Sequence, residues 1–276
     1  MLTLIDLFTA LLPLMYGLAA ANYSMYFVRR EPFAERTCTP FLLLTVGLHL
    51  VSLLLRFVYF RRYPIASLPE VLTVIAFAVA VVYLYVERAT ASKATGVFLV
   101  GMAGAIQLVA STFLVHAPGA EAPLLNRTSI WWLHTSLAVL GYSAFMVGAV
   151  YGLMFILLYR ALKRKKFGLV FERLPSLDVL ASMGMGAALL GWVLLTAAIA
   201  VGVVMSFKLI PDFYSDPKVI SSVVAWLAYA LAVAAYFLLG WRGARTVYLS
   251  LVAFSIALLT MLGSALPWGS FHVFQS

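Results

Sequence analysis

The stretch VLASMGMGAALLGWVLLTAAIAVGVVMSF, residues 179–207, contains no Asp, Glu, Lys or Arg. A helix of roughly 20 predominantly apolar residues crosses a bilayer core about 30 Å thick, and this stretch is longer than that. Its apolar character is continuous, whereas a strand of a membrane barrel has polar residues at alternate positions. The stretch therefore predicts a transmembrane helix, and it sets the fold class for the rest of the chain.

The remaining sequence repeats this pattern. The chain is 64% hydrophobic and 11% charged, with a mean hydropathy of +1.03, whereas about 25% of residues are charged in an ordinary soluble domain. A soluble fold is therefore excluded. We expect an all-α, polytopic membrane bundle that forms a single domain over residues 1–276. Its eight predicted spans are 5–27, 40–60, 70–86, 95–114, 131–158, 179–207, 219–239 and 247–266.

Positive charge is distributed unevenly between the connections. Of the 19 Lys and Arg residues, 13 lie in the first, third, fifth and seventh connections, five lie in the others, and Arg56 lies within a span. Because short cytoplasmic loops are enriched in Lys and Arg, we expect both termini on the external side of the cell (inner or plasma) membrane. The basic run at 160–166 is expected to lie against anionic lipid, and the net charge does not indicate nucleic-acid binding.

Reactive groups are sparse in this sequence. The single cysteine, Cys38, cannot form an intramolecular disulfide or a CxxC redox pair. The sequence also provides no recognisable nucleophile, general acid–base pair or phosphate-binding loop. We therefore do not expect an enzyme.

Two of the four histidines mark the same predicted end of the bundle. His134 opens the fifth span, and His272 follows the eighth. Gly141, Gly148 and Gly152 fall on nearly the same helical face as His134. Since glycines let neighbouring backbones approach closely, His134 is expected to face the bundle interior.

Two imidazoles at one rim suggest a shared metal. Zinc would need further ligands, for which His116 and Asp212 or Asp216 are candidates. Haem needs two axial imidazoles and apolar walls. The residues themselves leave zinc, haem and a plain structural role open. Aromatic residues that would wall a haem, and that are also common at membrane interfaces, are Trp131, Trp132, Trp268, Phe271 and Phe274.

The second span carries His49 and, seven residues later, Arg56 on the same face. A cation within a span is costly and normally has a partner or a purpose. Arg56 is expected either to pair with Glu70 or to meet an anionic ligand group, such as a carboxylate, in an outward-facing cavity. For His49 the simplest role is a hydrogen bond between helices.

Seven short segments occur in an order and spacing that resemble a known family. They are His49 to Arg56 with residues 63–72, then 132–145, 174–178, 194–202, 216–218, 226–229 with 240–243, and finally His272. The chain resembles the cytochrome c assembly proteins of the CcsA and HemX type over most of its length. This resemblance implies haem handling at the outer face of the membrane.

The resemblance also implies which residues would hold the haem. In the family, two external histidines ligate haem beside a tryptophan-rich segment, and by position they correspond to His134 and His272. Phe213, Tyr214 and Trp268 would line the cavity. His49 could then be a second haem ligand within the membrane, near Arg56.

The chain departs from the full cytochrome c synthetases in three ways. The matching loop, Lys208–Lys218, contains no tryptophan, and residues 232–236 read AVAAY where the synthetases have a histidine. A large external domain is also missing. We therefore expect a HemX-like, non-catalytic haem-binding protein that assists cytochrome c maturation or haem delivery. Its expected partners are haem, lipid, other assembly proteins and apocytochrome c.

Two other functions stay open. A HemX-like protein could regulate a haem-biosynthesis enzyme through the cytoplasmic loop 160–173, without using the histidines. A small transporter is the third alternative, but it requires broken helices or paired charges near mid-membrane. The spans offer only Gln107, His49 and Arg56 for that purpose.

Overall fold

The computed structural model describes residues 1–65, 67–114, 129–209 and 213–263, and all the regular secondary structure in these ranges is helical. A short 3-10 turn, Phe213–Ser215, precedes the eighth helix. The helices are α1 (Leu2–Arg29), α2 (Pro32–Phe60), α3 (Leu68–Thr90), α4 (Gly96–Phe113), α5 (Ser129–Lys163), α6 (Leu169–Arg173), α7 (Leu177–Leu209), α8 (Pro217–Phe237) and α9 (Ala244–Gly263).

Every helix in these ranges except the five-residue α6 is long and apolar enough to cross a membrane. These eight helices correspond to the eight predicted spans, so the prediction of an all-α, multi-pass membrane protein is confirmed. The largest difference lies at the start of α2, which begins at Pro32 and not near residue 40. Pro32 occupies the first helical turn, where its missing N–H is tolerated, and Glu35 in that turn suits the helix dipole. Hydropathy marks the apolar part of a helix and misses such a polar first turn.

The chain divides into two compact units. The N-terminal unit is Met1–Ala117 with Phe171–Leu174, and the C-terminal unit is Pro118–Val170 with Pro175–Ser276. In the N-terminal unit, α1 and α3 each pack against both α2 and α4. In the C-terminal unit, α5 and α8 are both in contact with α7 and α9. Each unit therefore contains a ring of four membrane-spanning helices.

The N-terminal unit has an aromatic core with a capped third helix. Tyr16, Tyr23 and Tyr83 are fully buried in it. Ser67 caps α3, since its side chain accepts a hydrogen bond from the backbone N–H of Glu70. This Ser-x-x-Glu spacing is a common signal for the start of a helix.

The C-terminal unit depends on close contact between α5 and α7. A β-carbon on Gly148 would lie 3.0 Å from the carbonyl oxygen of Gly184, and one on Gly141 would lie 3.2 Å from that of Gly191. The predicted close approach of backbones along the glycine face of α5 is therefore confirmed. Phe145, one turn after Gly141 in α5, stacks on Tyr229 of α8 with 3.6 Å between ring centroids.

Candidate functional site

His134 lies near the start of α5 and contacts α7. Its Nδ1 is 2.8 Å from the carbonyl oxygen of Ala198. Because a carbonyl oxygen can only accept, Nδ1 donates its proton, and the lone pair of the neutral ring is then on Nε2. A backbone carbonyl fixes the tautomer and orientation of many metal-ligating histidines in this way.

Gly202 forms the surface against which the His134 ring packs. A β-carbon at this position would lie 2.8 Å from Cε1 and 2.9 Å from Nδ1 of the imidazole. Ala198 and Gly202 are four residues apart in α7, so they lie on one helical face. Ala198 and Gly202 both lie in the segment 194–202 that resembles the family, but neither was predicted to be a contact of His134. The sequence feature that could have identified this contact is a pair of small residues, Ala198 and Gly202, four positions apart.

Two tryptophans precede His134 in α5. Trp131 and Trp132 are both half-buried, and their rings meet edge to face with 4.6 Å between centroids. Aromatic surface therefore lies at the same end of α5 as the imidazole. This placement agrees with an interfacial position for the start of the helix.

The other residues predicted for the haem or zinc site are described only in part. Tyr214 is 67% exposed in the 3-10 turn, and Asp216 is buried just before α8. Phe213 belongs to the same turn, and its side chain lies outside the described residues. His272, Trp268 and the zinc candidates His116 and Asp212 also lie outside them. The pairing of His134 with His272 stays a prediction.

Metal ligands do not cluster within residues 1–65, 67–114, 129–209 and 213–263. No group of three or more His, Cys, Asp or Glu residues occurs there that could hold a metal ion. Cys38 is a buried free thiol.

His49 lies in the N-terminal unit and is 0% exposed. The hydroxyl of Tyr16 is 3.0 Å from its Nδ1, and the ring of Phe77 meets it edge to face at 5.3 Å. Its Nε2 has no hydrogen-bond partner. The predicted hydrogen bond between helices is therefore present at one nitrogen, while the other stays available for a different partner.

Arg56 shares a face of α2 with His49, as the spacing predicts, and both residues contact α1. Arg56 donates a hydrogen bond of 2.7 Å to the hydroxyl of Thr9. Glu70 receives two hydrogen bonds from Arg62, at 2.7 and 2.9 Å. Glu70 thus makes its ion pair with Arg62, two residues after the end of α2, and not with Arg56.

The N-terminal unit also contains a buried carboxylate that was not predicted from the sequence. Glu87 lies in the last turn of α3, is 4% exposed, and accepts hydrogen bonds from the hydroxyls of Tyr23 and Thr39. Glu87 falls one residue after the predicted third span, which ends at residue 86. The signal that could have found it is the repeat of Thr9, Tyr16 and Tyr23 at seven-residue intervals on α1, because residues seven apart share a helical face.

The comparison with known families agrees with this architecture. Residues 35–271 match the family model described as cytochrome c assembly protein. The chain belongs to the cytochrome c assembly protein family. The match extends across both units, from the start of α2 to the segment beyond α9.

Three curated relatives show low but extended similarity to this chain. Protein HemX of Brevibacillus brevis is 27% identical over 168 residues, which cover 60% of this chain and 62% of HemX. The cytochrome c biogenesis protein CcsA of Microcystis aeruginosa is 26% identical over 257 residues, covering 76% and 78%. Inner membrane protein YpjD of Escherichia coli is 26% identical over 174 residues, covering 63% and 65%. The chain thus spans about three fifths of the length of HemX.

Proposed function

We propose that this cytochrome c assembly family protein binds haem and assists cytochrome c maturation or haem delivery at the outer face of the membrane, without catalysing the attachment itself. The observation that carries the proposal is the orientation of His134. Its Nδ1 donates to the Ala198 carbonyl, and Gly202 supports the ring. The names of the CcsA relatives refer to cytochrome c biogenesis, which supports the same role.

Among the described residues, His134 has the orientation that an axial haem ligand needs. A bis-imidazole haem requires a neutral histidine with a lone pair on the nitrogen that faces iron, and the Nδ1 bond of His134 leaves the lone pair on Nε2. When bound, haem would supply an iron that accepts axial nitrogen ligands. His272 is the proposed second ligand, and Phe213, Tyr214 and Trp268 are the proposed walls. The last four assignments come from the sequence and the family resemblance.

His49 is a weaker candidate ligand, and its contacts favour a structural role. Its Nε2 has no hydrogen-bond partner, but its side chain is completely buried between Tyr16 and Phe77. Ligation there would require the helices to separate. Arg56, proposed from the sequence as a partner for an anionic group, already donates to Thr9 and is 3% exposed.

The decisive experiment is absorption spectroscopy of the full-length protein, purified in detergent and supplied with haem. We expect a Soret band with bis-imidazole character. His134→Ala and His272→Ala should each weaken it, and added imidazole should restore the band of His134→Ala because a free ligand can replace the missing one. Leu133→Ala is the matched control, since Leu133 is 53% exposed and precedes His134 in α5. An unchanged spectrum in both histidine variants would overturn the ligand assignment.

A second candidate function is regulation of a haem-biosynthesis enzyme through the loop after α5. The basic run Lys163–Lys166 begins in the last turn of α5, which also contains Arg160, and all five residues are exposed. One relative is named HemX. Under this hypothesis, replacing the four residues of the run with Gln should change the cellular abundance of the enzyme, while His134→Ala should not. The haem-delivery proposal predicts the opposite pattern in cells, because cytochrome c maturation would depend on His134.

A further inference from the structure

A groove of about 370 Å³ lies in the C-terminal unit, where α7 and α9 begin and α8 ends. The charge distribution of the loops predicts that this end faces the cytoplasm. The groove contains both signs of charge, from Asp178 of α7 and from Arg242 between α8 and α9. The other residues that line it are Val179, Ala181, Ser182, Tyr236 and Gly243.

Arg242 is fixed in position by its neighbours. Its guanidinium carbon lies 4.1 Å from the ring centroid of Tyr236, and its Nη1 donates to the carbonyl oxygens of Tyr236 and Trp241. A guanidinium has five N–H donors in a planar fork. The donors on Nε and Nη2 make no hydrogen bond to other residues of the described chain. An oriented, exposed guanidinium of this kind suits the paired oxygens of a phosphate.

Asp178 lies in the first turn of α7, where the helix dipole stabilises its negative charge. It is exposed. Asp178 and Arg242 both belong to the described residues, and no ion pair within 4.0 Å joins them. Asp178 and Arg242 therefore line the same groove, with more than 4.0 Å between the carboxylate oxygens of one and the guanidinium nitrogens of the other. Two opposite charges held apart in this way leave room for a ligand that carries both complementary charges.

We infer that the groove binds the headgroup of a phospholipid with a primary ammonium, of the phosphatidylethanolamine class. Its phosphate binds Arg242, and its ammonium donates to the carboxylate of Asp178. A choline headgroup lacks N–H donors for Asp178, and a glycerol headgroup lacks the cation. Apolar side chains near the end of α8 provide a surface for acyl chains, since Leu238 is 82% exposed and Leu239 is 66% exposed. This inference is independent of haem binding.

The test is a titration of the full-length protein in detergent with dihexanoyl phosphatidylethanolamine, phosphatidylcholine and phosphatidylglycerol, followed by tryptophan fluorescence. The ethanolamine lipid should bind most tightly. Asp178→Asn should weaken its binding about fivefold, the size of an exposed charge pair, and should remove its preference over the choline lipid. Arg242→Gln should weaken the ethanolamine and choline lipids alike, because both carry the phosphate.

Arg245→Gln is the matched control, because Arg245 is an exposed arginine three residues further on that does not line the groove. It should leave all three affinities unchanged. Asp178→Asn keeps the shape of the side chain at an exposed position and removes only a charge–dipole interaction of about 0.3–1 kcal/mol, so its melting temperature should fall by at most a few degrees. Equal affinity for the three lipids would overturn the inference. Two other outcomes would also overturn it: phosphatidylglycerol binds most tightly, or Arg245→Gln loses as much lipid affinity as Arg242→Gln. Either would indicate a surface that attracts anionic lipid through charge alone.

Discussion

The imidazole of His134 packs directly on the backbone of Gly202, and a β-carbon at residue 202 would lie 2.8 Å from its Cε1. One turn earlier in α7, the Ala198 carbonyl oxygen accepts the Nδ1 proton. The ring is therefore held by a hydrogen bond at one edge and by close packing beside it. A ligand histidine benefits from this arrangement, because its metal-binding nitrogen is oriented before the metal arrives.

Gly202→Ala should displace the His134 ring, since the added methyl group cannot fit beside Cε1 and Nδ1. We expect haem affinity to fall about tenfold or more, in the range found when the outer-shell support of a metal ligand is removed. The measurement is a haem titration followed at the Soret band. Gly186→Ala is the control in the same helix, because a β-carbon there meets nothing within 4 Å. Equal haem affinity in both variants would show that Gly202 does not position His134.

Gly191→Ala should destabilise the C-terminal unit. Its β-carbon would lie 2.9 Å from the Gly141 carbonyl oxygen and 2.5 Å from the Phe145 ring. Because α5 and α7 would have to separate, we expect a loss of about 1–3 kcal/mol in the free energy of unfolding. Denaturant unfolding in detergent measures it. Gly101→Ala, with open space around the added carbon, should be neutral or gain up to about 1 kcal/mol from helix propensity. A stable Gly191→Ala variant would contradict the close packing.

The helices could be predicted from the sequence because hydrophobic length is a local property. Each of the eight apolar spans was recognisable without knowing its neighbours, and the glycine face of α5 predicted a close helix contact. Helix ends were harder to predict. Residues 32–39 form polar turns of α2 that continue beyond the apolar span, and composition does not separate such turns from a loop.

Side-chain partners could be predicted only in part, because they depend on which helices meet. The sequence suggested Glu70 as a partner for Arg56, yet Arg62 reaches Glu70 with two nitrogens from the end of α2. Arg56 instead meets Thr9, a residue 47 positions away in the chain. Ala198 is likewise 64 positions from His134. No local pattern identifies a carbonyl acceptor on another helix.

Glu70→Gln should destabilise the N-terminal unit by about 1–2 kcal/mol, because it removes a two-bond, charge-assisted pair with Arg62. The Glu70 side chain is 6% exposed and that of Arg62 is 24% exposed, so solvent screens the pair only partly. Denaturant unfolding of Glu70→Gln, Arg62→Gln and the double variant gives the coupling energy. Glu31→Gln is the control, since Glu31 is exposed and its side chain does not cap α2. Additive effects of the two substitutions would contradict the pair.

Tyr16→Phe should leave both ring nitrogens of His49 without a partner, since Nε2 already has none and Nδ1 would lose the Tyr16 hydroxyl. An unsatisfied buried polar group costs about 1–3 kcal/mol, whereas replacing both partners with apolar groups is often nearly neutral. We therefore expect Tyr16→Phe to lower the free energy of unfolding, and Tyr16→Phe with His49→Leu to recover most of the loss. Tyr85→Phe should change nothing, because Tyr85 is 74% exposed.

The same variants decide whether His49 serves the fold or binds haem. If its role is structural, the Soret band of the Tyr16→Phe, His49→Leu double variant equals that of the wild type. Loss of part of that band, in a protein that unfolds with wild-type stability, would instead assign His49 to a haem site within the membrane. The His49 side chain is 0% exposed, and Tyr16 and Phe77 occupy two sides of its ring. Haem binding there would therefore require α1, α2 and α3 to separate.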